Sequence, residues 1–272
     1  MITRLAPTPS GFLHIGNCVN LTLVDWLARS HGGHVVLRID DIDADRYRPE
    51  YVDDIFRVLD MLGVQWQGGP RSRPEFETSY AMRDKTQYYR AEAMSLHEAG
   101  LAYVCTCSRA ELRAAGSRTC VRNCREGNLR LQPGAAALRM RVPPGAAVET
   151  DGHIINIDRA MGDFVIWRRD DQPSFQLASV IEDRDMKVTH VVRGEDLLAS
   201  TAAQLFLAPS VNASTFTDAR FIHHRLVTDP EGRKLSKSQL AADPIPGTAT
   251  VLEQIRTLAY EVGEPVGIAP PA

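Results

Sequence analysis

The chain opens with a short apolar run, a break, and then a long amphipathic stretch. Residues 2–6 read as an extended segment, closed by the turn-forming string Pro7-Thr8-Pro9-Ser10-Gly11. Ile15, Val19, Leu23, Trp26 and Leu27 then recur at helical spacing on one stripe, until Gly32-Gly33 ends it. His34-Val35-Val36-Leu37-Arg38-Ile39 follows and reads as a buried strand. Strand, turn, helix and strand in so short a span make a βαβ unit, the usual start of a doubly wound parallel sheet. The expected fold class is therefore α/β.

Pro49 opens a second amphipathic helix, with Val52, Ile55, Phe56, Leu59 and Leu62 on its apolar face and Gly63 at its end. A further helix is predicted over 79–99, capped by Gly100. Segments 136–142 and 153–167 alternate like antiparallel strands, and 175–181 is helical. Segment 188–192 is a strand, and 200–207 a helix capped by Ser200 or Thr201. Asp229-Pro230-Glu231-Gly232 is a turn. The last residues, 263–272, hold three prolines without periodicity and are expected to form a disordered tail.

Length and charge narrow the picture. A chain of 272 residues fits one large domain, or a core carrying a smaller one. A net charge of −3 excludes a uniformly basic nucleic-acid coat, although not a local basic face. No run approaches the ~18 apolar residues of a membrane span. The N-terminus lacks the basic region and apolar run of a signal peptide. Five cysteines is an odd number in a chain too large to need disulfide staples, so a soluble cytoplasmic protein is expected.

Three strings carry candidate chemistry. His14-Ile15-Gly16-Asn17 falls after the first strand, at the start of a helix, where free N–H groups and the positive helix end favour an anion. Lys234-Leu235-Ser236-Lys237-Ser238 follows a glycine-containing turn, and its two ammonium groups suit a triphosphate whose charge builds up during displacement. Each string alone has a plain alternative, an accidental match or a solvated basic loop. Cys105, Cys107, Cys120 and Cys124 form two close pairs joined by a short loop. That spacing suits a tetrahedral ion, zinc being usual for sulfur-only sites, and otherwise reads as unrelated thiols or two disulfides. Ser108 with Glu111 has the form of a capping box between the pairs, and Cys18 reads as a packed core thiol. From Arg109 to Arg141 there are eight Arg and no Lys against two Glu, which suits either phosphate backbone or an ordinary solvated face.

Taken together, His14 to Asn17 and Lys234 to Ser238 resemble the two signature elements of the class I aminoacyl-tRNA synthetases. More narrowly, the chain resembles the glutamyl-tRNA synthetase group. The supporting strings are Arg4-Leu5-Ala6-Pro7-Thr8-Pro9-Ser10-Gly11, Leu37-Arg38-Ile39-Asp40-Asp41-Ile42-Asp43 and Thr189-His190-Val191-Val192-Arg193-Gly194-Glu195-Asp196-Leu197-Leu198. About 35 residues follow the lysine string, too few for an anticodon-binding core. The branch with that layout is the glutamyl-queuosine tRNA(Asp) synthetases, and Met161-Gly162-Asp163-Phe164-Val165 and the cysteine segment are similar to it.

The resemblance implies a Rossmann-type catalytic core with a small zinc-binding insertion. The core would occupy 1–100 and 146–262 and the acceptor-binding insertion 101–145. It implies ATP-dependent activation of glutamate, or a close relative, and transfer to queuosine in tRNA(Asp), by a monomer. Structural Zn²⁺ on the four cysteines and Mg²⁺ with ATP are the implied cofactors. His14, Gly16, Asn17 and Lys237 would bind ATP, with Lys234 assisting Lys237 in the transition state. Arg4 and Arg193 would bind the substrate carboxylates, with Thr8 in support, and Asp40 and Phe175 would complete the amino-acid pocket.

Two departures bear on specificity. The group has a glutamate where Asp40 stands, one methylene longer, and a tyrosine where Phe175 stands. Loss of one such hydroxyl contact costs roughly 0.5–1.5 kcal/mol. The group's full-length enzymes need tRNA for activation, whereas the queuosine-directed branch does not. Other readings remain: the same adenylation with another amino acid or a non-tRNA acceptor, a non-catalytic tRNA-binding paralogue, and a small-molecule nucleotidyltransferase.

Overall fold

The structure is a computed structural model and describes residues 1–117, 119–228 and 243–271. Among these, strands run in chain order β1 (Ile2–Leu5), β2 (His34–Leu37), β3 (Ala102–Cys105), β4 (Ala137–Met140), β5 (Ala147–Thr150), β6 (His153–Asn156), β7 (Val165–Trp167), β8 (His190–Gly194) and β9 (Arg220–His224). The chain divides into two units, one of Met1–Arg83, Val188–Asp196 and Ala219–Ala272, the other of Asp84–Lys187 and Leu197–Asp218. No helix of the described residues is long and apolar enough to cross a membrane.

The first unit is built on a parallel sheet of order β2-β1-β8-β9. Leu5 pairs with Leu37, Thr3 with His190, and Val192 with Ile222. Paired residues point to the same face and neighbours alternate. Leu5, Val35, Leu37, Val192 and Ile222 therefore share a face. They join one apolar core with Cys18, Val19, Leu23 and Leu27 of helix α1 (Ile15–Ser30) and with Ile255 and Ala259 of the helix Ala249–Gly263. Arg4, Arg193, Phe221 and His223 look to the other face, and all four are buried.

The helix predictions for this unit are borne out. Gly32, just past α1, takes a left-handed φ of 56°. Helix α2 (Pro49–Leu62) has Pro49 at its first turn and Gly63 as a left-handed cap at φ 67°. The segment after α2 runs beside β2, with Leu37 N–H donating to the Gly68 carbonyl at 2.8 Å. There Gly69 sits at φ 97°, and a Cβ on it would lie 2.1 Å from the Leu37 carbonyl oxygen.

Several expectations need correction. The helix placed over 79–99 begins as a 3₁₀ turn at Met82–Lys85 and runs as an α-helix over Thr86–Glu98. Before it, Ala81 is extended, and the buried Asp41 carboxylate takes the N–H groups of Met82 and Arg83, at 2.8 and 3.3 Å. The helix placed at 200–207 starts two residues early, as Leu198–Leu207, and neither Ser200 nor Thr201 caps it. The strand placed at 188–192 lies at His190–Gly194. The tail expected to be disordered carries a 3₁₀ turn at Glu264–Val266, and Ile268 is 1% exposed within the core.

The second unit holds the antiparallel sheet β3-β4-β7 and the hairpin β5-β6. The run 153–167 is not one strand: β6 gives way to a helical turn, Ile157–Ala160, capped by Asn156, before β7. Strand β5 was not foreseen. It is joined to β6 by Asp151-Gly152, both at positive φ, the two-residue turn of a tight hairpin. The insertion placed at 101–145 lies within this unit. The turn at 229–232 lies outside the described residues.

Gly69→Ala should destabilise the protein by more than Gly32→Ala, whose Cβ would meet nothing within 4 Å. Gly32→Ala should cost about 1 kcal/mol, and Gly69→Ala clearly more, in urea unfolding.

Candidate active site and metal centre

The N-terminal turn of α1 lies near the carboxyl ends of the parallel strands. His14 is its extended N-cap residue, at φ −103° and ψ 169°. The His14 N–H donates to Asn17 Oδ1 at 3.1 Å, so Asn17 closes the turn with its oxygen and retains its NH₂ for a ligand. The N–H groups of Ile15 and Gly16 have no acceptor inside the helix, as at any helix start. The approach to this turn is fixed from α2. Buried Asp54 accepts the Leu13 N–H at 2.9 Å and is itself held by Arg57 at 2.6 Å.

Behind the turn, two loops are tied together. Arg38 N–H donates to the Leu5 carbonyl and Asp40 N–H to the Pro7 carbonyl, each at 2.9 Å. Thr8 is half-buried in the same turn, and its carbonyl accepts the Ser10 N–H at 2.9 Å. The polar residues brought together are Arg4, Arg38, Asp40 and Arg193, with exposures of 6, 3, 7 and 4%. Arg38 grips Asp40 with two hydrogen bonds, Nε to Oδ1 at 2.6 Å and Nη2 to Oδ2 at 3.1 Å. Arg193 lies over the Phe221 ring at 5.3 Å, and an Arg4 guanidinium N–H reaches the Val192 carbonyl at 3.5 Å. Buried guanidinium groups on one face form a polar cradle whose forks suit a substrate that carries carboxylates.

Arg38 is a polar residue of the cradle to which the sequence assigns no role beyond a place in a buried strand and in a family string. Its signal was an arginine within an apolar run. Asp41 is likewise buried, paired with Arg83. Burial raises its carboxyl above the usual range, and the Arg83 charge opposes that.

In the second unit, Phe175 is the first residue of the helix Phe175–Asp185 and is 40% exposed. The four clustered cysteines come together as expected. Cys105 closes β3, and the Ser108–Glu111 capping box starts the short helix Arg109–Ala114 between the pairs. All four Sγ atoms lie within 4.8 Å of one another, Cys107 and Cys120 at 3.5 Å. Zn–S bonds of about 2.3 Å put tetrahedral sulfurs about 3.8 Å apart, so the set fits a metal ion of that kind. All five cysteines are free thiols, which removes the disulfide alternative. Cys18 is fully buried in the core, as read, and burial pushes its thiol up to about 12.

The arginine stretch is less available than its count implied. Arg139 is buried and donates to the Asp163 carbonyl at 2.6 Å, and Arg125 and Arg141 hold the backbone carbonyls of Val142 and Arg125. Arg109, Arg113, Arg122 and Arg130 are exposed, Arg122 in an ion pair with Glu111. Arg118, Lys234 and Lys237 lie outside the described residues.

Comparison with known proteins follows the same outline. The family described as the catalytic domain of class I (E and Q) tRNA synthetases matches residues 1–243. The glutamyl-Q tRNA(Asp) synthetase of Pseudomonas putida is 36% identical, over 100% of this chain and 87% of that protein. The protein of the same name from Neisseria meningitidis is 36% identical over 88% of this chain and 80% of its own. A glutamate-tRNA synthetase structure from Elizabethkingia anophelis matches with a TM-score of 0.70 and 26% identity. It aligns with 88% of this chain, which spans about half, 52%, of that enzyme. A Mycobacterium tuberculosis methionyl-tRNA synthetase, at 11% identity and TM-score 0.51, covers 95% of this chain and 63% of its own and shares the fold.

The cysteine cluster should carry about one metal ion per chain by elemental analysis, and Cys120→Ser should lose most of it. Burial raises the Cys105 thiol to about 12 and also raises Cys120. Binding must displace those protons, so a chelator should strip the ion faster at pH 6 than at pH 8.

Proposed function

The chain belongs to the class I (E and Q) tRNA synthetase catalytic-domain family, and from that we propose that it is an ATP-dependent ligase that activates glutamate and transfers it to the queuosine base of tRNA(Asp). The observation that carries this reading is the buried cradle of Arg4, Arg38, Asp40 and Arg193 beside the N-terminal turn of α1. The relatives in Pseudomonas putida and Neisseria meningitidis, by their names, support the amino acid and the acceptor.

In the reaction, a carboxylate oxygen of glutamate attacks the α-phosphorus of ATP. The bond to the bridging oxygen breaks, and pyrophosphate leaves with the electron pair. The chain supplies position and charge rather than a covalent nucleophile. Arg4 and Arg193 hold the substrate carboxylates, with Thr8 in support, while the α1 turn with His14, Gly16 and Asn17 receives the phosphates. Asp40 supplies the negative charge that answers the ammonium. Lys237 opposes the charge that develops on the leaving group, with Lys234 as its helper. Mg²⁺ supplies further charge neutralisation when it arrives with ATP. An acceptor hydroxyl on queuosine then attacks the adenylate carbonyl, and AMP leaves.

Cys105, Cys107, Cys120 and Cys124 would hold a structural Zn²⁺, which would brace the loop between β3 and β4. The exposed Arg109, Arg113 and Arg130 are the candidates for contact with tRNA phosphates. One feature favours a variant of this reading. Asp40 is already gripped by Arg38, which weakens its attraction for a substrate ammonium and leaves room for another amino acid in the same chemistry.

Radiolabelled glutamate should become acid-precipitable with queuosine-bearing tRNA(Asp) and not with the same tRNA lacking queuosine. Equal labelling of both, or labelling of tRNA(Glu) at its 3′ end, would assign a different acceptor.

A further inference from the structure

The last residue of β9 does something that the reaction above does not use. His224 follows the alternation of its strand to the face of Leu5, Val192 and Ile222, the side on which α1 packs. It is 4% exposed, a polar ring on the face that carries the apolar Leu5, Val192 and Ile222. Its Nδ1 lies 2.8 Å from the Arg225 carbonyl and its Nε2 3.1 Å from the side-chain amide oxygen of Asn20. Both ring nitrogens are thus engaged. Asn20 stands one turn beyond Gly16 and on the same side of α1. The pair therefore joins the helix that begins with the anion-binding turn to the point where the chain leaves the sheet.

The exit from β9 is constrained from its other neighbours too. Leu226 N–H donates to Glu195 Oε1 at 3.4 Å. A Cβ on Gly194, paired with His224, would fall 2.7 Å from Asp196 Oδ1 and 3.0 Å from Leu226, so both of those side chains would have to shift. An apolar residue at 224 would pack on this face with no polar group to satisfy. What the imidazole adds is direction: Nδ1–H donates to the Arg225 carbonyl, and Nε2 of the neutral ring accepts from the Asn20 side-chain amide once that amide presents its NH₂.

We propose that His224 and Asn20 are positioning residues for the nucleotide: together they set the anion-binding turn of α1 against the carboxyl edge of the parallel sheet. The inference rests on ATP being held at that turn. His224→Phe, Asn20→Ala, the double variant and His224→Gln would be compared in ATP–pyrophosphate exchange with glutamate. Calorimetric ATP binding and thermal melting would be measured alongside.

His224→Phe and Asn20→Ala should each lower kcat/KM for ATP about tenfold and weaken ATP binding, with the glutamate KM within about twofold. The double variant should be no worse than the poorer single one, because either change already breaks the pair. His224→Gln should recover most of the loss. Wild-type ATP binding and kcat in both single variants would overturn the proposal. So would losses that multiply in the double variant, or that follow the melting temperature alone with no recovery by glutamine. If the wild-type protein binds ATP but does not exchange with glutamate, the functional reading fails. The ATP affinities of the variants then decide this inference by themselves.

Discussion

The register that pairs Thr3 with His190 and Arg193 with His223 is the constraint on which the rest of the first unit depends. It joins strands far apart in sequence and brings their carboxyl ends to one edge. It also decides which residues look to which face. A slip of one residue in β1 would turn Arg4 toward the apolar core of α1 and Leu5 toward the polar cradle. Burying an unpaired guanidinium costs several kcal/mol, so that slip is strongly disfavoured. The same register places His224 on the α1 face and His223 on the cradle face.

The two faces divide the work. Leu5, Val35, Leu37, Val192 and Ile222, with the apolar stripe of α1, bury the surface that holds the unit together, at roughly 1.5–3 kcal/mol for each large side chain. The cradle face buries Val191 and Phe221 too, beside polar groups that add little. Its Arg38–Asp40 pair has side-chain exposures of 2 and 8%, and a pair so buried recovers little more than its desolvation cost. Arg4 and Arg193 stand buried on the same face. In the second unit, the thiols of Cys105, Cys107, Cys120 and Cys124 are gathered in the same way, within reach of one metal ion.

Local patterns were legible wherever one physical rule acted alone. The stripe of α1, the proline and glycine that bound α2, the capping box at Ser108 and Glu111, and the cysteine spacing all follow from neighbours in sequence. Long-range bonds were not legible. Nothing near residue 79 announces that Asp41 will take the N–H groups of Met82 and Arg83 and set the helical start there. The arginine count from 109 to 141 overstated the basic surface, because Arg139, Arg125 and Arg141 hold backbone carbonyls. The hairpin at Asp151-Gly152 is different, since its turn signal was present and was passed over. Of the candidate site, Arg4, Asp40 and Arg193 could be named from their strings. That Arg38 grips Asp40, and that His224 meets Asn20, required the fold.

We propose that the first unit binds ATP and a dicarboxylic amino acid together and joins them without help from an acceptor. ATP–pyrophosphate exchange with a panel of amino acids, in the absence of tRNA, tests it most directly. The account predicts exchange with glutamate and with none of the others. Exchange with a different amino acid would contradict the assignment of the cradle, and no exchange with any of them would contradict the chemistry itself.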